Sequence, residues 1–175
     1  MNPSTTDRTE ILKTCHTFWG YLKAKNFTEQ RKLIVPTGHI LIVRPDSKDS
    51  EGPDRFTSET FAAGMDRVEH VFTNVMPDGE PTEIINDDEV QIRILKARPS
   101  ERLADKEATM ATIHMPFTIH FVPGTEKGMW GWNMYTLIKT EGLNVDGLGE
   151  RTNGGEGGWR ICAITGWHQY LPREA

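Results

Sequence analysis

Residues 111–121, ATIHMPFTIHF, constrain the fold more than any other stretch of the chain. Ile113, Met115, Phe117 and Ile119 share one parity, and Thr112, His114, Thr118 and His120 share the other. Alternate side chains of a strand face opposite sides, so the run predicts a strand with one dry face and one wet face. It belongs to a series. TEIIN (82–86), DEVQIRILKA (88–97), MWGWNMYTLIK (129–139) and GWRICAITGWHQYL (158–171) are equally rich in branched and aromatic residues and bounded by turn chemistry.

The first half reads differently. In residues 5–26, Ile11, Cys15, Phe18 and Leu22 recur at i, i+4, i+7 and i+11, the stripe of an amphipathic helix. Asn26 is placed to cap a second helix, FTEQRKLI, with Glu29 in the capping-box position and Pro36-Thr37-Gly38 ending it. HILIVR (39–44) then predicts a strand and DSKDSEGPD (46–54) a polar loop. Thr57 is the expected cap of a third helix with Phe61, Met65, Val68 and Phe72 as its stripe. Three helices followed by a long meander predict one α+β domain over 1–175, with the helices on one face of a curved antiparallel sheet. Loop insertions are expected near 98–107 and 140–157, the second glycine-rich.

Composition excludes several roles. The net charge of -5, with basic residues scattered among acids, argues against nucleic acid. No run approaches a membrane span, the start of the chain lacks an apolar leader, and the two cysteines are far apart. A cytoplasmic, reducing setting is the expectation. No CxxC or His/Cys cluster suggests zinc. His114 and His120 cannot share a metal, because six strand residues separate them by about 20 Å.

The order of elements, with AKNFTEQRKLIVPTGHILI, NDDEVQI, MATIHMPF, GWNMYTLIK and above all GGWRICAI, resembles the NTF2-like superfamily. That superfamily comprises cone-shaped folds of the ketosteroid isomerase, SnoaL-like cyclase and scytalone dehydratase kinds. The resemblance implies a cystatin-like cone whose pocket lies between the first helix and the concave face of the sheet. Most of the known catalytic positions carry other residues here: Phe18, Leu22, Ile42 and Phe117 stand where the relatives place polar groups. The pocket asparagine is matched by Asn133.

By parity, Asn133 shares its face with Tyr135, and His168 shares its face with Ile164. An amide and a phenol inside an apolar cone are suited to polarising a carbonyl. His168 is the acid–base candidate by type, and Arg44 a fixed cation at the rim. Asp66 with His70, four residues on, is a further candidate pair. Phe18, Leu22, Ile42, Met65, Met115, Phe117 and Ile164 are the expected apolar walls.

The reading that follows is a cofactor-independent isomerase or cyclase, or a dehydratase (a lyase), acting on a small hydrophobic natural-product intermediate. The alternative is a non-catalytic binding or dimerisation module. Trp130, Trp132, Met134, Trp159, Ile161 and Trp167 have the opposite parity and would form an apolar outer face. Such a surface predicts a homodimer through the sheet. With reversed parity, the same tryptophans would line the pocket.

Overall fold

The computed structural model describes residues 5–44, 55–96, 109–125, 127–139 and 158–171. The expected insertions near 98–107 and 140–157 lie outside the described residues. Helix α1 (Thr5–Lys23) buries Ile11, Cys15, Phe18 and Leu22, as their spacing requires. It stops in a left-handed turn at Lys25, where Asn26 N–H donates to Tyr21 O at 2.9 Å and Lys25 N–H to Leu22 O at 3.0 Å. These two bonds satisfy carbonyls that the helix end would otherwise leave bare. Asn26 then caps α2 (Phe27–Lys32), its side-chain oxygen accepting from Glu29 N–H at 3.3 Å.

Two expected boundaries move. Helix α2 is shorter than its pattern, and strand β1 (Ile34–Arg44) begins before Pro36-Thr37-Gly38 instead of after it. The pairing of β1 shifts register between Ile34 and His39, and an irregularity of this kind is where a strand tolerates proline. Residues 55–60 form strand β2 (Arg55–Thr60), paired antiparallel with β1. Helix α3 (Phe61–His70) therefore starts three residues later than expected, capped by Thr60 and not Thr57. Thr60 Oγ1 accepts from Ala63 N–H at 3.3 Å. The helix runs into a π turn, Val71–Val75, which buries Phe72.

The remaining strands are β3 (Thr82–Ile85), β4 (Gln91–Lys96), β5 (Thr109–His120), β6 (Gly128–Lys139) and β7 (Trp159–Tyr170). The sheet order is β2-β1-β7-β6-β5-β3, with β4 also pairing β5. Strand β5 takes β4 along its first half and β3 along its second. The sheet is mixed, because β1 joins β7 in parallel while every other pairing is antiparallel. The wholly antiparallel expectation fails at that one junction, where the helical first half of the chain delivers β1 beside the last strand.

The concave face packs on the helices. Ile113, Met115, Phe117 and Ile119 of β5 are buried there with Tyr135 and Leu137 of β6. Burying each such side chain contributes roughly 1.5–3 kcal/mol. Trp130, Trp132 and Met134 lie on the opposite face, 43%, 36% and 39% exposed. Trp159 and Ile161 do not join them: both are fully buried. The β6–β7 register slips between Thr136 and Leu137, so Cys162 becomes the extra residue of a bulge. One extra residue reverses the parity upstream of it. Among the described residues, no helix is long and apolar enough to cross a membrane.

Candidate functional site

Residues of α1, α3 and the concave face of the sheet enclose a cavity of about 350 Å³. Phe18, Leu22, Ile42, Met65, Phe117 and Ile164 line it, with Trp19 and Phe72 among the aromatic walls. Trp19 stacks on Phe117, ring centroids 6.4 Å apart. The cavity's polar groups are few: Gln30, Arg44, Arg67, Asn133, His168 and Tyr170, besides the Trp19 indole N–H. Arg67 is committed to an ion pair with Glu59, and Arg44 Nη1 donates to Thr57 Oγ1 at 3.0 Å.

A hydrogen-bonded chain runs from this wall into the core. His168 Nε2 lies 2.8 Å from Asn133 Oδ1, and Asn133 Nδ2 donates to Tyr135 Oη at 3.2 Å. Trp19 Nε1 donates to the same phenol oxygen at 2.8 Å. Gly166 makes the chain possible. A Cβ there would strike the Asn133 side-chain oxygen and stand 2.9 Å from His168 Nε2. Burial first, and the Arg44 charge second, depress the His168 pKa to about 4, so the imidazole is neutral at pH 7. Burial holds the Tyr135 phenol well above its usual range, hence protonated.

The expected site residues divide accordingly. Asn133, His168 and Arg44 come together on the cavity wall. Tyr135 and Met115 are on the concave face but fully buried and outside the cavity lining; Tyr135 reaches the site only through Asn133. Asp66 belongs to the surface: its side chain is 75% exposed and paired with Arg31, while His70 bonds Asn74. Helix α3 turns its Phe61–Met65 stripe inward, and Asp66 is thereby carried outward. His114 and His120 face away from the cone. His114 lies against Trp132, and His120 Nδ1 is 3.1 Å from Thr125 O. Among the described residues, no group of three or more His, Cys, Asp or Glu is placed to hold a metal ion.

Three polar residues escaped the sequence reading. Trp19 falls four residues after Cys15, within reach of the same stripe. Gln30 is buried on α2, donating to Phe18 O at 3.0 Å. Glu83 stands opposite Ile119, so it shares the concave face with Ile85, a parity visible in TEII. Both its carboxyl oxygens are buried without a hydrogen-bond partner among the described residues. Burial raises its pKa well above the usual carboxylate value, favouring the neutral form.

No family model and no curated protein matches the sequence. Solved structures do. A chain of naphthalene 1,2-dioxygenase, solved with indole in the active site, superposes with a TM-score of 0.57 at 13% identity, covering 99% of this chain and 84% of that one. An NTF2-like protein with a cystatin-like fold from Novosphingobium aromaticivorans gives 0.52 at 13% identity, over 97% and 84%. The beta subunit of a putative aromatic-ring-hydroxylating dioxygenase from the same species gives 0.51 at 11%, over 96% and 92%. The chain has the NTF2-like, cystatin-like fold. At such identities the likeness is one of fold, and activity has to be argued from the site.

Proposed function

We propose that the cavity binds a small apolar molecule bearing one polar oxygen, and that the protein is a cofactor-independent isomerase or cyclase, or a dehydratase, acting on it. One observation carries this reading. In an apolar, aromatic-walled cavity of about 350 Å³, Asn133, His168 and Arg44 are gathered on the sheet wall. Apolar walls exclude water and hold a reactive conformer, an effect worth up to ~7–11 kcal/mol when the geometry is right. A neutral imidazole and a guanidinium stabilise negative charge developing on a carbonyl oxygen. No ionised carboxylate lines the cavity among the described residues, which suits rearrangement or ring closure better than abstraction by a strong base.

The test uses 2-tetralone, a fused bicyclic ketone. Calorimetry should show binding to the wild type and none to Ile42→Trp, which fills the cavity. Donors that polarise the carbonyl should lower the C=O stretching frequency of the bound ketone in difference infrared spectra, and Asn133→Ala and His168→Ala should each return it toward the free value while remaining folded. Absence of binding, or equal binding to the filled variant, overturns the pocket. Binding with an unshifted carbonyl stretch favours the non-catalytic module.

The outer face supports a companion proposal. Trp130, Trp132 and Met134 are exposed side by side, and Trp130 packs edge-on against Trp167 at 5.3 Å. A second copy of the chain, sheet against sheet, is the proposed cover.

A further inference from the structure

The hydrogen bonds behind the cavity leave one proton without a destination. Tyr135 is fully buried, and its oxygen receives N–H groups from Trp19 and from Asn133 Nδ2. With the amide in that orientation, the phenol's own hydrogen finds no acceptor among the described residues. His168 Nε2 must then be the protonated nitrogen, donating to Asn133 Oδ1, which leaves Nδ1 as a buried lone pair with no partner among the described residues. Two groups are unmet.

Exchanging the oxygen and nitrogen ends of the Asn133 amide moves no other heavy atom and removes one of these defects. The indole of Trp19 is a donor only, so it sets the direction. Trp19 N–H donates to Tyr135 Oη, Tyr135 O–H to the Asn133 carbonyl, and an Asn133 N–H to His168 Nε2. The imidazole then carries its single proton on Nδ1. A buried phenol proton without an acceptor is costly, so this arrangement is the more stable of the two.

We infer that Trp19, Tyr135 and Asn133 form a one-way relay that fixes neutral His168 as the Nδ1–H tautomer, making the ring a hydrogen-bond donor and not a base. Nδ1 is buried without a partner among the described residues, so a ligand in the cavity reaches this N–H only when the imidazole or its neighbours shift. The charged groups that share its cavity are Arg44 of β1 and Arg67 of α3, the latter paired with Glu59. An N–H donor near a guanidinium selects an acceptor oxygen of partial or full negative charge: a carbonyl, an enolate or a phenolate, and never an ammonium. That half of the inference rests on the binding reading above; the relay does not. Trp19 and Tyr135 are positioning residues, acting through Asn133.

Long-range 15N–1H correlation spectra of the ligand-free protein at pH 7 read the tautomer directly, with the His168 signals assigned by their absence in His168→Gln. The expected result is a protonated Nδ1 and a bare Nε2 in the wild type. Tyr135→Phe removes the orienting proton and should shift the ring toward Nε2–H. Trp19→Phe keeps Tyr135 and serves if the first variant does not fold. A wild-type spectrum with protonated Nε2 overturns the relay, as does an Nδ1–H tautomer unchanged in whichever of these variants folds. Addition of 2-tetralone should move the Nδ1–H resonance downfield. Bound ketone with no such movement overturns the donor role. If the ketone does not bind at all, the binding reading and the donor role fall, and the relay still stands or falls on the ligand-free spectrum.

Discussion

Strand β6 carries two opposite solutions on its two faces. Inward, beside the buried Leu137, it presents Asn133 and Tyr135, polar groups sealed among aromatic walls and bonded to each other; outward it presents Trp130, Trp132 and Met134 to water. The usual arrangement is inverted, polar inside and apolar outside. Buried polar groups are tolerable only when paired, so the inner face is rigidly specified. Exposed aromatics gain by finding a partner, so the outer face is free to associate. Substitutions on the inner face should therefore cost stability and chemistry, and those on the outer face should change assembly alone.

The inner face breaks most severely at Gly166. Gly166→Ala drives a methyl group into the Asn133–His168 contact and against Trp132 O, 2.8 Å from the added carbon. A loss of about 2–4 kcal/mol is expected in urea unfolding, from overpacking plus a severed buried bond. Acid is the next largest lever. The folded His168 pKa of about 4 lies below the usual 6.5. Its contribution is therefore full above pH 6.5 and lost as the pH falls from 6.5 to 4, at most about 3 kcal/mol. Chemical denaturation across that range should show the slope, and His168→Gln should flatten it.

Outer-face changes test the other half of the contrast. Trp132→Ser should shift the monomer's stability by no more than ~1 kcal/mol, while sedimentation should show the proposed dimer in the wild type and monomer in the variant. A dimer unaffected by Trp130→Ser/Trp132→Ser would place the interface elsewhere. The smallest effect sharpens the inner account. Glu83 has a raised folded pKa, so its neutral burial costs nothing below the unfolded carboxylate range and progressively more as the pH rises above it. Glu83→Gln should raise Tm at pH 8 relative to wild type and leave it nearly unchanged at pH 4.

Much of the architecture was legible because period-two and period-3.6 patterns report burial directly. The α1 stripe, the parity of β5 and β6, and the outward histidines all follow from it. Misreadings arose where one residue changes the count. The bulge at Cys162 turned Trp159 and Ile161 inward, and Thr60 took the cap position given to Thr57. At the site, Asn133, His168 and Arg44 were accessible from parity and resemblance. The role of Tyr135 was not, because its partner Trp19 is 116 residues away in sequence. Asp66 was misplaced because i,i+4 spacing shows that two residues are neighbours without showing which way the helix faces. Glu83 was overlooked because an acid in a short strand reads as solvent-facing until its register with Ile119 is known.

The central claim is that a ligand is held in the cone by its oxygen. A crystal structure of the protein with 2-tetralone tests it most directly. The account predicts the fused rings between Trp19, Phe117 and Ile42, with the ketone oxygen within hydrogen-bond distance of His168 or Arg44. A ketone seated on the outer tryptophans, or a cone closed by its own side chains, would contradict it.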